Sequence, residues 1–152
     1  MKIALVTDTH FGARNDHDHF NNYFYEFYDN IFFPYLKKHN IDTCIHLGDV
    51  MDRRKFVSYK TAKDFREKFC ETFVTNDINV HMIVGNHDTY FKNTNDVNSL
   101  DELIGSRYEN IKIYRETETV DFDIPICFIP WINSTNEKQT VEHINNCLLY
   151  TS

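Results

Sequence analysis

The chain of 152 residues is 41% hydrophobic and 15% aromatic with only 4 Gly and 3 Pro, which excludes disordered, collagen-like and low-complexity classes. A formal net charge of -7 excludes a domain that simply coats nucleic acid through a surplus of Lys and Arg. The length fits one domain, 1–152, able to bury a core without disulfide or metal staples.

The chain opens MKIALVTDTHFG, where the apolar run meets Asp8 too early for a signal peptide. No later stretch approaches the ~20 apolar residues of a membrane span, so a soluble cytoplasmic protein is expected. Ile3 to Val6 reads as a buried strand. Apolar residues then recur at helical spacing, Phe20, Phe24, Phe27, Ile31 and Tyr35, and this stripe reads as core-facing, with Pro34 kinking the helix or starting a fresh turn. A second strand runs from Cys44 to Leu47. Tyr59 to Phe73 forms a second helix with Ala62, Phe65, Phe69 and Phe73 on one face, and Val80 to Val84 is the third strand.

The alternation is βαβαβ and predicts an α/β fold on a parallel sheet. A polar loop (Lys92 to Asn95), a short helix near Val97 to Ile104 and strands at Ile111 to Tyr114, Thr119 to Phe122 and Ile126 to Ile129 follow. The tail from about Glu137 to Leu149 is helical. Four cysteines, Cys44, Cys70, Cys127 and Cys147, lack CxxC spacing and read as buried thiols in a reducing compartment, which disfavours a zinc-thiolate site.

Polar residues gather where the first three strands end. Asp8 and His10 follow the first, Asp49 the second in HLGDVMD, and Asn86, His87 and Asp88 the third in VGNHD. Carboxyl ends of parallel strands are where open α/β sheets build their sites. The mixture of carboxylate, imidazole and amide suits Mn, Fe or Zn better than the all-oxygen shells of Ca or Mg. Each residue alone would be a cap or a turn former. Turn chemistry does not require DxH, GD and GNHD together.

Other segments carry weaker signals. The loop NDHDHF (Asn15 to Phe20) reads as solvated, with Asp18 capping the helix that follows. Arg14, Arg53, Arg54 and Lys55 could meet a nucleic-acid backbone or form a solvated basic turn. His46 and His81 fall within strands and read as packed structural residues, and His143, in TVEHINN, as solvent-facing.

DTH (Asp8 to His10), GDVMDRR (Gly48 to Arg54) and GNHD (Gly85 to Asp88) resemble the first three motifs of the calcineurin-like metallophosphoesterases. The DTHFG opening and the Pro130-Trp131 pair after a strand further resemble the SbcD-type DNA exonucleases and phage recombination endonuclease subunits akin to them. The resemblance implies a four-layer α-β-β-α sandwich, of which this chain supplies the N-terminal βαβαβ half and a few following strands. It implies two divalent ions, Mn foremost with Fe or Zn as alternatives. Asp8 and His10 would hold the first, Asp49 would bridge, and Asn86 would bind the second. His87 would serve the leaving oxygen, with Asp88 orienting its imidazole.

The family's later ligands, a His after a further strand and a G-H-x-H motif, do not occur here. The chain is therefore expected to be the N-terminal part of a larger protein, incomplete at its C-terminus. The implied activity is DNA phosphodiester hydrolysis, with an SbcC-type ATPase subunit as partner, a homodimer as an option and the host cytoplasm as location for a phage product. Alternatives are a phosphatase acting on a phosphoprotein or small phosphoester, and an inactive truncated module.

Overall fold

A computed structural model describes residues 1–149, so residues 150–152 of the expected domain lie outside it. Four strands, β1 (Ala4–Val6), β2 (Thr43–His46), β3 (Asn79–Ile83) and β4 (Ile111–Tyr114), form a parallel sheet in the order β1-β2-β3-β4. Register pairs Val6 with His46, His46 with Met82, and Ile83 with Tyr114. The βαβαβ expectation holds, and β4 extends it by one strand.

The helices between these strands pack on one face of the sheet. They begin with a short left-handed turn α1 (Ala13–Asp16) and continue through α2 (Asp18–Phe27), α3 (Phe33–Lys38), α4 (Tyr59–Asp64) and α5 (Glu71–Thr75). Phe65, Phe69 and Phe73 are fully buried and meet Phe11, Tyr28, Phe33, Val80 and Met82 in one core, as the spacing of the second helix predicts.

The first helical region departs from expectation. Phe20, Ile31 and Tyr35 are 42%, 59% and 56% exposed, while Asn21, Tyr25, Tyr28, Phe33 and Leu36 are buried. Two aromatic stripes lie one residue apart in this segment, and the core takes the one whose Tyr28 and Tyr25 rings stack against Phe11. A wide π-helical turn at Tyr28–Phe32 precedes Pro34, which lacks an N–H and stands at the start of α3. That turn lets Phe33 and Leu36 continue the buried stripe.

A hairpin of β5 (Glu118–Asp121) and β6 (Pro125–Phe128) covers part of the other face of the sheet. Val120, Ile126 and Phe128 pack toward Ile45, Ile83 and Tyr114, and His81 stacks there on Phe128, with its Nδ1 2.6 Å from the Tyr114 hydroxyl. Alternation sends Thr119 and Cys127, paired across the hairpin, to the opposite side, where α7 (Glu137–Leu149) lies. Helices, sheet, hairpin and α7 thus stack as α-β-β-α. Cover is partial at the β1 and β2 edge: Leu5 in β1 and Leu47, just past β2, are 65% and 46% exposed, so β2 itself is buried throughout while the expectation of a buried first strand holds only in part. No helix among the described residues is long and apolar enough to cross a membrane.

The loop after β3 is held from within. Asn95 donates to the Trp131 carbonyl at 3.0 Å and accepts from Asn133 at 3.0 Å, while Trp131 N–H donates to Val84 at 2.8 Å. Asn98 caps α6 (Ser99–Leu103) by accepting from Asp101 N–H at 2.9 Å. Asn98→Ala should cost about 1–2 kcal/mol by urea unfolding, because the cap and a buried donor to Asn95 are lost together.

Candidate metal centre at the strand ends

The site is made by three loops running side by side. Asp8 N–H donates to Gly48 at 3.2 Å, His10 N–H to Asp49 at 3.2 Å and Phe11 N–H to Val50 at 2.8 Å, so the DTHF and GDV segments pair beyond their strands. Phe11 then plugs into the core against Phe65 and Phe69. Asp8, His10 and Asp49 all adopt left-handed backbone (φ 52, 42 and 54). Such values are uncommon outside glycine, with Asp and His among the residues that tolerate them, and here they turn three chemically active side chains toward one another.

Donor atoms of Asp8, His10 and Asp49 lie within 4.8 Å of one another, and His10 Nε2 is 3.4 Å from an Asp8 oxygen. Asp8 and Asp49 also line a cleft of about 260 Å³ together with Asn86, Gly48, Gly85 and Trp131. Two carboxylates and an imidazole clustered this closely, with an amide lining the cleft beside the carboxylates, fit a first-row divalent ion. Thr7 donates to Asp8 at 2.6 Å, and this bond, aided by His10, holds the Asp8 carboxyl below its ordinary range against the opposing effect of burial. Asp8 is therefore ionised and ready to ligate.

The third loop is pinned to the second by Asp88, which is fully buried. Its Oδ1 accepts from Met51 N–H and its Oδ2 from Gly85 N–H, both at 2.9 Å, and burial raises its pKa to about 6. The expected pairing of Asp88 with the His87 ring is thereby corrected, because both carboxylate oxygens are spent on backbone. The imidazole is oriented by the Asp52 carbonyl instead, 2.7 Å from Nδ1. That bond places a proton on Nδ1 and leaves Nε2 as the working nitrogen. His87 meets His10 edge-on at 4.9 Å, and its backbone N–H donates to Asp49 at 2.8 Å. The role of Asp52 escaped the sequence because a backbone carbonyl leaves no residue signature.

His46 supports the loops from beneath, as its strand position predicts. Its Nδ1 accepts from Gly48 N–H at 3.2 Å, so Nε2 carries the proton toward Thr9 at 3.0 Å. Complete burial pushes its pKa down to about 3. Between pH 6.5 and 3 the unfolded chain binds this proton and the folded one does not, so His46 lowers stability as pH falls. Asp88 acts oppositely between 3.8 and about 6, since there the folded state binds the proton first. Comparing native protein with His46→Asn cancels the Asp88 contribution. Urea unfolding should show the native protein losing about 2 kcal/mol more than the variant between pH 7.5 and pH 5.

Each of the basic residues lies over an aromatic ring. Arg53 lies 4.7 Å from the Phe56 ring, Arg54 4.9 Å from Trp131, Lys55 5.6 Å from Tyr90 and Arg14 5.2 Å from Phe20. Arg53 also donates to Asn15 at 2.7 Å, which joins it to the α1 turn carrying Arg14. Arg53, Arg54 and Lys55 line a groove with Tyr90 and Val97. In NDHDHF, Asp18 does not cap α2: His17 occupies that position, and Asp18 pairs with Lys60 at 3.2 Å from the first turn.

His143 is not solvent-facing. It is half-buried, with Nε2 2.9 Å from the Thr119 hydroxyl. Cys44 and Cys70 are the buried, inert thiols expected, Cys44 with its pKa pushed up to about 12 by burial. Cys127 and Cys147 are only half-buried.

A family model described as calcineurin-like phosphoesterase matches residues 1–145. The chain is 36% identical over 145 residues to exonuclease subunit 1 of Enterobacteria phage T4, a match covering 95% of this chain and 42% of that protein.

Proposed function

This chain belongs to the calcineurin-like phosphoesterase family, and from that premise we propose a metal-dependent nuclease that hydrolyses DNA phosphodiester bonds. The observation that carries the reading is the clustering of Asp8, His10 and Asp49, with Asn86 lining a cleft beside the two carboxylates and His87 edge-on to His10. Asp8 and His10 would hold one divalent ion, manganese foremost, and Asn86 a second, with Asp49 shared between them. A bound pair supplies Lewis-acid polarisation of the phosphoryl oxygens and an acidified attacking water.

The protein's own groups then position and transfer protons. With Nδ1–H committed to the Asp52 carbonyl, His87 acts in its imidazolium form, which carries a second proton on Nε2, gives it to the departing oxygen and returns to the neutral ring protonated at Nδ1. Arg54 and Lys55, stacked on Trp131 and Tyr90, take the phosphates flanking the cut, and Arg14 and Arg53 extend the track. The name of the phage relative, an exonuclease subunit, supports a nucleic-acid substrate and membership of a multi-subunit enzyme. An ATPase subunit of the SbcC type is the proposed partner, with a homodimer as the simplest further assembly.

The test compares cleavage of single-stranded and duplex DNA with turnover of an aryl phosphate, in manganese. DNA should be cut only with metal, and Asp49→Asn should abolish cutting. Aryl phosphate turnover with intact DNA would sink the nuclease reading and leave a phosphatase.

A further inference from the structure

A second set of metal donors lies on the far side of the hairpin, away from the strand-end cleft. Donor atoms of Cys127, His143 and Cys147 are all within 4.8 Å of one another. Three separate elements of geometry bring them there. Cys127 points to this side of β6 because alternate residues Ile126 and Phe128 face the sheet. His143 and Cys147 are four apart on α7 and so share one helix face. Thr117 and Thr140 join their hydroxyls at 2.9 Å a few residues earlier, holding α7 against the hairpin at the register that aligns the three donors.

We propose that Cys127, His143 and Cys147 bind a thiolate-preferring divalent ion of the zinc type. Two thiolates and an imidazole nitrogen are three of the four ligands of a tetrahedral zinc site, which leaves one position for water. Donors around such an ion stand about 3.5–3.8 Å apart, a contraction from the observed spread that rotation of the half-buried thiol side chains supplies. Binding releases the two thiol protons to solvent. Thr119 stands where a supporting residue is needed: its hydroxyl is 2.9 Å from His143 Nε2 and 3.1 Å from Cys147 Sγ. With Nε2 and sulfur turned to the ion, that hydroxyl is free to donate to the Cys147 thiolate. The ion would staple α7 to the hairpin.

A redox disulfide between Cys127 and Cys147 is the competing use of the same thiols, but it leaves the inward-facing imidazole without a part. The sequence concealed the site because no CxxC spacing exists; the only local trace is the His143-x-x-x-Cys147 pair.

Cobalt(II) titration of the reduced chain distinguishes the outcomes, since thiolate ligands give a near-ultraviolet charge-transfer band that the oxygen and nitrogen donors of the strand-end cleft do not. The band should saturate at about one equivalent per chain. It should persist in Asp49→Asn and weaken at least about a hundredfold in affinity in Cys127→Ser and in His143→Ala. Circular dichroism of each variant before titration reports its folding, and zinc displacement of the cobalt band in the native chain gives a readout needing no variant. No thiolate band in the reduced native chain, a band unchanged in Cys127→Ser, or thiols joined as a disulfide that take up no metal after reduction would overturn the proposal.

Discussion

Gly85→Ala is expected to cost about 3 kcal/mol of stability and to abolish divalent-ion binding at the strand ends. A Cβ built at Gly85 overlaps the Asp49 backbone nitrogen and carboxylate and stands 3.0 Å from the Gly48 carbonyl carbon. Flexible side chains could yield, but two of these atoms are backbone in a loop already fixed by hydrogen bonds from Asp8 and His10. Gly48 meets Gly85 from the other side, where a Cβ would lie 2.8 Å from the Gly85 Cα, and its own φ of 96 is left-handed. The two loops therefore pack glycine on glycine, and Asp49 reaches the cleft because nothing larger stands between them. Urea unfolding reads the stability loss, and manganese titration reads the displaced carboxylate.

His87→Asn should lower kcat for DNA cleavage by about 10²–10⁴-fold with metal content unchanged. The contact between His87 and Asp49 is made by the backbone N–H, so it survives any change of side chain. What disappears is the imidazole held by the Asp52 carbonyl, and with it the proton donor for the leaving oxygen. A parallel fall in bound manganese would mean that His87 is a ligand. Substitution at Asp52 should be milder, since the orienting atom belongs to the backbone.

The chemistry of the strand-end site was legible because each cluster follows a recognisable β-strand, and a parallel sheet brings successive strand ends together. Asp8, His10 and Asp49 cluster, and Asn86 lines a cleft with the two carboxylates, for that reason. Less visible was the division of labour inside GNHD. Asp88 reads as a partner for its neighbour His87, but burial between two loops gives it two backbone donors and no ring. The first helix carries two aromatic stripes of equal periodicity, and the packing of Tyr25 and Tyr28 on Phe11 decides which one is covered, with Phe24 of the other stripe only partly buried against the core. Asn95 and Asn133 gave no signal, being polar residues buried by tertiary contacts alone, whereas Asn98 with Asp101 three residues later is a cap pattern that could have been read.

The most direct measurement of the central claim is the manganese anomalous difference map of crystals grown with the ion. The geometry requires density in the cleft in contact with Asp8, His10 and Asp49, with Asn86 facing the same space. Density confined to other parts of the molecule, or none at saturating manganese, would contradict the assignment of the strand ends as a metal centre.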